Sequence, residues 1–188
     1  MGSGTGRRRD LSMSMGMANL YVLIISGPVT ALLALIYAAF WNADSLFVLD
    51  SQAAWLVALG LVVVGVLVHE ALHGLSAAYF SGKPLETIKF GFQLKTLTPY
   101  AHIREPILAR AYRLGTAAPG VVLGLVPSVI GLISGSGSAM LFGLFFTFAA
   151  GGDALILWLI RGVRGDTLVE DHPTNAGCYV YEPGSKGT

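Results

Sequence analysis

Hydrophobic positions gather into four long blocks: Asn19 to Trp41, Ala53 to Phe80, Leu114 to Ser134 and Ala139 to Ile160. Each reaches the roughly 20 apolar residues that a helix needs to cross a bilayer. The second exceeds that length by several residues and is predicted to tilt or to emerge at one end. The first follows Arg7, Arg8 and Arg9, as a secretion signal would. Its apolar part is longer than the roughly 7–15 residues of a signal core, so it reads as a helix that stays.

Between the second and third blocks the pattern changes period. Thr87, Lys89, Gly91 and Gln93 alternate with Ile88, Phe90, Phe92 and Leu94, which predicts a strand over Glu86 to Leu94 with one apolar face. Leu97 to Ile103 supplies a hairpin partner, and Pro99 confines that partner to an edge. The stretch after Asp166 is rich in Gly, Pro, Asn and Thr and is expected to be irregular, while Met1 to Gly6 reads as a flexible leader. The expected fold is an all-α polytopic membrane protein of four transmembrane helices, with a small cytoplasmic β-hairpin between helices 2 and 3. Residues 1–18 form an N-terminal tail, 19–160 the membrane domain with its hairpin loop at about 81–112, and 161–188 a C-terminal tail.

Composition agrees with the blocks. Of 188 residues 54% are hydrophobic and 12% charged, with a mean hydropathy of +0.66, whereas soluble domains carry about 25% charged residues. These values exclude a disordered chain, a fibrous repeat and an ordinary cytosolic enzyme. A net charge of +1 leaves no basic reserve for nucleic acid. The single cysteine, Cys178, excludes an internal disulfide and a Cys-rich zinc module.

Charge placement sets an orientation. With four spans, every Lys and Arg falls on one side: Arg7 to Arg9; Lys83, Lys89, Lys95, Arg104, Arg110 and Arg113; and Arg161, Arg164 and Lys186. The opposite side has Asp44 and Asp50 in one loop and the turn Ser134 to Ser138 in the other. The positive-inside rule then puts both termini and the hairpin loop in the cytoplasm, in the cell membrane if the source is prokaryotic.

The chemistry lies inside the second block, where His69-Glu70-Ala71-Leu72-His73 forms an H-E-x-x-H run. Positions i and i+4 share a helix face, about 6 Å apart along the axis. Two imidazoles at that spacing bind one zinc ion, and the intervening Glu reaches a metal-bound water as general base. Chance is the plain alternative, but ionisable groups within a membrane segment are costly and default to function. Zinc hydrolases usually have three protein ligands and one open position. Ser76 and Tyr79 occupy the places where the metzincin extension has Gly and His, so the third ligand must come from elsewhere.

Asp153 is the only other acidic residue inside a span. It lies eight residues before Arg161, while His69 and His73 lie eleven and seven residues before Phe80. All three therefore sit at similar depth, roughly 10–16 Å from the cytoplasmic boundary. Gly151 and Gly152 are expected to let the second and fourth spans approach closely. An ion pair is the alternative role for Asp153, but no span offers a Lys or Arg at that depth.

His69, Glu70 and His73, with a later helix supplying Asp153, resemble the site-2 protease group of intramembrane zinc metalloproteases. The chain is also similar to a small family of zincin membrane peptidases of unassigned function. The similarity lies in His69 to Gly74, Tyr100 to Pro106, Ala117 to Pro127, Gly152-Asp153 and Asp171-His172-Pro173. Site-2 proteases usually place the Asp before a Gly, whereas the order here is Gly152-Asp153-Ala154. The resemblance implies hydrolysis of peptide bonds in a membrane protein or peptide substrate, with Zn2+ held by His69, His73 and Asp153. Glu70 would activate the zinc-bound water. The predicted hairpin is positioned to take up an unwound substrate segment as an added strand.

Four further residues carry weaker signals. His102 and His172 lie in polar segments where a lone His is usually a surface residue; each is a candidate for substrate binding or metal support, as is Asp171. Pro119 should bend the third span and free a backbone carbonyl, though a simple packing kink is the preferred account of it. The competing function is a non-catalytic zinc-binding membrane scaffold, which would not need Glu70 and would close its site with a fourth ligand. A metal transporter would need ligands in the extracytoplasmic halves of the spans, and there are none. Manganese or iron would suit the same ligands, and the oligomeric state is left open.

Overall fold

The computed structural model describes residues 7–46, 49–93, 98–103 and 105–182. The expectations for Met1 to Gly6, Lys95, Arg104, Lys186 and the hairpin turn at 94–97 lie outside these residues.

The chain is mainly helical. Helix α1 (Met15–Trp41) begins at Ser14, whose hydroxyl accepts the Met17 N–H at 3.4 Å, and α2 (Gln52–Ser81) begins at Ser51, which accepts Ala54 N–H at 3.2 Å. These caps replace carbonyl partners that the first turn of any helix lacks. Helix α2 stops at Gly82, whose φ of +67° suits a residue without a side chain. Helix α3 (Ala109–Pro119) passes through a π-helical segment, Gly120–Leu125, into α4 (Val126–Ser134). Helix α5 (Gly137–Ala149) is followed directly by α6 (Gly151–Leu159).

Among the described residues, three helical stretches are long and apolar enough to cross a membrane: Met15–Trp41, Gln52–Ser81 and Ala109–Ser134. The chain itself buries only 11% of the apolar window of the first and 6% of that of the second, so their side chains face outward. Water does not tolerate such a surface, and a bilayer does. The predicted fourth span is not one straight helix: α5 and α6 meet at Ala150 with a bend of 41°, and they count as a crossing only if taken together. The paired glycines that follow are poor helix formers and weaken continuity there. Their expected role also changes. A Cβ on Gly151 would lie 2.6 Å from Ser26 Oγ and 2.7 Å from Val22 Cγ1, so this glycine fits α6 against α1, while nothing approaches Gly152 within 4 Å.

The helices join two poles. At one, Tyr37 O–H donates to Gly135 C=O at 2.7 Å and Trp41 Nε1–H donates to Leu132 C=O at 2.8 Å, fixing the turn between α4 and α5 against the end of α1. At the other, Ala77, Ala78, Tyr112, Ile160 and Val163 form a core with Ile88, Ile107, Val169, Cys178 and Val180. This second core gathers the end of α2, the start of α3, the end of α6 and two antiparallel sheets.

The expected hairpin is present as β2 (Ile88–Gln93) and β3 (Thr98–Ile103), in a register that sets Phe90 opposite Ala101. The second sheet corrects the expectation of an irregular tail. It has four strands in the order β1-β6-β5-β4: β1 (Arg7–Met13), β6 (Ala176–Glu182), β5 (Leu168–Asp171) and β4 (Ile107–Leu108). Ile107, Val169, Gly177, Cys178 and Val180 are the buried positions of this sheet, and the strand-forming run Cys178 to Tyr181 outweighs the Gly, Pro and Asn around it. Those breakers mark the turn between β5 and β6. Gly177 is the exception inside a strand: its φ is +134°, and a Cβ would lie 2.2 Å from Leu11 C=O of β1.

Candidate metal centre

Helix α2 carries His69 and His73 on the face turned toward α6, and α6 presents Asp153 in its first turn, just beyond the break at Ala150. His69 Nε2 lies 3.3 Å from Asp153 Oδ2, and His73 Nε2 lies 3.1 Å from Asp153 Oδ1. The ligand atoms of all three residues fall within 4.8 Å of one another. The three side chains are 12–20% exposed, so the group is sheltered but open to a small molecule. The predicted trio is therefore assembled from two helices, as the depth argument required.

The second nitrogen of each imidazole has a different environment. His73 Nδ1 lies 3.1 Å from the Gly115 carbonyl of α3. A carbonyl only accepts, so Nδ1 carries the proton and the lone pair of a neutral ring is left on Nε2. That lone pair faces a carboxylate oxygen at 3.1 Å, a meeting made favourable by a cation between them or by a second proton on the ring. His69 Nδ1 is buried without a hydrogen-bond partner among the described residues, and its ring lies stacked beside Phe146, with centroids 6.4 Å apart. Asp153 Oδ2 is likewise buried and lacks a hydrogen bond. Two nitrogens and a carboxylate, converging with an open side, match the donor set that zinc takes in hydrolases.

Glu70 stands on the same helix but does not join this group. Its Oε2 accepts the Ala101 N–H of β3 at 3.1 Å, which fixes the carboxylate beside the three ligand atoms. The residue after the motif, Gly74, admits the hairpin: a Cβ there would lie 2.4 Å from Phe90 Cζ and 2.9 Å from Ile88 Cγ2. The sheet thus rests flush on α2 at the level of the H-E-x-x-H run. Ala101 N–H points to Glu70 and not to β2, so the same alternation turns Pro99 toward the unpaired edge of β3, where its missing N–H breaks no ladder bond.

The weaker candidates are distributed differently. His102 occupies β3 opposite Lys89, next to Ala101, and its side chain lies outside the described part of the structure. His172 belongs to the four-stranded sheet. Its Nδ1 accepts from Thr174 and Asn175 N–H at 3.1 and 2.8 Å, and its Nε2 lies 3.0 Å from Tyr179 Oη. Asp171 Oδ1 accepts the Tyr112 hydroxyl at 2.6 Å, tying the sheet to α3. The structure thus gives His172 and Asp171 partners within and under the sheet, apart from the three-ligand group. Pro119 ends α3 four residues after Gly115, whose carbonyl faces His73.

Sequence reasoning missed Gly115, Phe146 and the Ala101 amide. Phe146 is one apolar residue among many, and a backbone N–H has no signature in side-chain identity. Gly115 had one available signal, its position four residues before a helical proline.

No curated protein and no solved structure gives a significant match to this chain. A family model described as "Putative zincin peptidase" matches residues 62–168, a stretch that holds the H-E-x-x-H run, the hairpin and Asp153. That span is more than half of the chain, and the chain belongs to this family.

Proposed function

We propose that this protein is a zinc metallopeptidase of the membrane that hydrolyses peptide bonds of membrane-embedded or membrane-proximal proteins. The observation that carries the reading is the convergence of His69, His73 and Asp153 within 4.8 Å, with the Glu70 carboxylate held beside them. The chain crosses the bilayer four times in this reading, α5 and α6 making one broken span, with both termini and the sheets in the cytoplasm. The pairing of β1 with β6 supports a common side for the two ends.

Zinc held there would supply Lewis acidity toward the scissile carbonyl and an acidified water. The protein's own part is positional and acid–base. Glu70 takes a proton from the attacking water and delivers it to the leaving amine. The Ala101 amide holds that carboxylate in one orientation until substrate arrives. A helical substrate segment must unwind first, because its carbonyls are already bonded. The unpaired edge of β3 runs past Glu70 and is suited to take the unwound segment as a further strand. The segment would then compete with Glu70 for the Ala101 N–H and free the base as it binds.

A non-catalytic zinc scaffold would close its site with a fourth protein ligand. Glu70 is turned to a backbone amide instead, which favours the enzyme. Metal analysis of detergent-purified protein tests the reading. One zinc per chain, retained in Glu70→Gln and lost in Asp153→Ala, is the expected result. Native protein prepared without chelators and containing no zinc would overturn it.

A further inference from the structure

Within the reading of His73 as a metal ligand, we infer that Pro119 and Gly115 are positioning residues that set the tautomer and aim of its imidazole. In an unbroken α-helix the Gly115 carbonyl would accept the N–H of residue 119. Proline has no N–H, and its ring presses on the carbonyl four residues back, tilting it out of the helix axis. The freed carbonyl is the one that lies 3.1 Å from His73 Nδ1. Two independent features of α3 therefore meet at one atom. The other is the close approach of α3 to α2: a Cβ on Gly115 would lie 3.2 Å from the backbone N and Cα of Ala77, one turn beyond His73. A larger residue would push the carbonyl away from the ring.

This arrangement explains why a helix-breaking residue stands inside an apolar helix. A carbonyl left without its helical partner is costly in a dry interior; here His73 Nδ1–H satisfies it. In the neutral ring the same bond leaves Nε2 unprotonated and pointed at Asp153, ready to bind metal without a tautomeric change. His69 lacks such a support, since its Nδ1 has no partner among the described residues. The two imidazoles are thus unequal ligands, His73 pre-set and His69 held mainly by packing.

The test is Pro119→Ala, which restores the N–H and lets the Gly115 carbonyl return to the helix. Removing the outer partner of a metal-bound His typically weakens metal binding about 10–100-fold. Zinc affinity of full-length protein in detergent, read by competition with a chromophoric chelator, should fall by about that factor. Thermal stability of the metal-free protein should hold or rise, because alanine suits a helix interior better than proline. Nitrogen-15 spectra of the His73 ring should show Nδ1 protonated in the native chain and a mixture of tautomers in the variant. Equal zinc affinity with an unchanged tautomer would overturn the inference while leaving the metal site intact. A parallel loss of zinc and stability would also overturn it, by reducing Pro119 to a packing residue. A native chain that binds no zinc would remove the metal-site reading itself.

Discussion

Tyr112→Phe separates a structural role for the Asp171-His172 pair from a role at the metal. Tyr112 is 4% exposed, and its hydroxyl donates to Asp171 Oδ1 at 2.6 Å, joining α3 to β5. Phenylalanine keeps the ring and its packing and deletes only the donor. Hydrogen bonds to charged groups contribute about 1.5–3 kcal/mol, and part of that is lost with the donor. At roughly 2–4 °C per kcal/mol for a chain of this size, the melting temperature should fall by roughly 3–12 °C. The assay is thermal unfolding in detergent of metal-free native and variant protein, followed by zinc titration of both. The variant should bind zinc within twofold of native, because the contact joins sheet to helix and none of the three ligands takes part. An unchanged melting temperature together with a tenfold loss of zinc affinity would refute this reasoning and return Asp171 to the support of the metal.

Three further outcomes are expected. Glu70→Gln should lower cleavage of a detergent-solubilised membrane peptide by about 10²–10⁴-fold, the usual contribution of a general base, with zinc content unchanged; retained cleavage would remove Glu70 from that role. Burial, with Asp171 and Asp10 nearby, pushes the Cys178 thiol from 9.0 up to about 12. Because the folded value is the higher one, its contribution to stability is complete below pH 9.0 and disappears as the pH rises toward about 12. Native protein at pH 8 should therefore resist iodoacetamide and react once unfolded; rapid labelling of the folded chain would contradict the buried placement. Gly177→Ala puts a Cβ 2.2 Å from Leu11 C=O at a φ of +134°, a strain of about 1–3 kcal/mol before any clash is counted. Amide exchange in residues 7–13 should then accelerate, and unchanged protection would show that β1 does not depend on this close approach.

The helices and the candidate metal ligands were legible because membrane chemistry is restrictive. An apolar block of some 20 residues has few alternatives to a helix, and His69, Glu70, His73 and Asp153 are conspicuous in such surroundings. The alternation from Thr87 to Leu94 exposed the hairpin for the same reason, since one face must be apolar. The four-stranded sheet was hidden because its strands are short and lie far apart in the chain. Nothing local in Arg7 to Met13 reports that Ala176 to Glu182 will pair with it. The break at Ala150 was hidden too, because hydropathy measures how apolar a block is and not whether its axis is straight. Pro119 announced a free carbonyl, but only the fold could show that His73 takes it.

Pairing β1 with β6 also orders events in time. Ser12 and Asn175, joined across these strands by a hydrogen bond, are 163 residues apart in the chain. At roughly 5–20 residues per second, a ribosome makes β6 about 8–33 s after β1. Through that interval the first strand has no partner, and α3 lacks the Asp171 contact that anchors Tyr112. The helices bearing His69, His73 and Asp153 can enter the membrane one after another while translation continues. The pole that braces them closes only when β6 has left the ribosome, so the unfinished chain lacks the finished scaffold of its candidate metal site during its insertion.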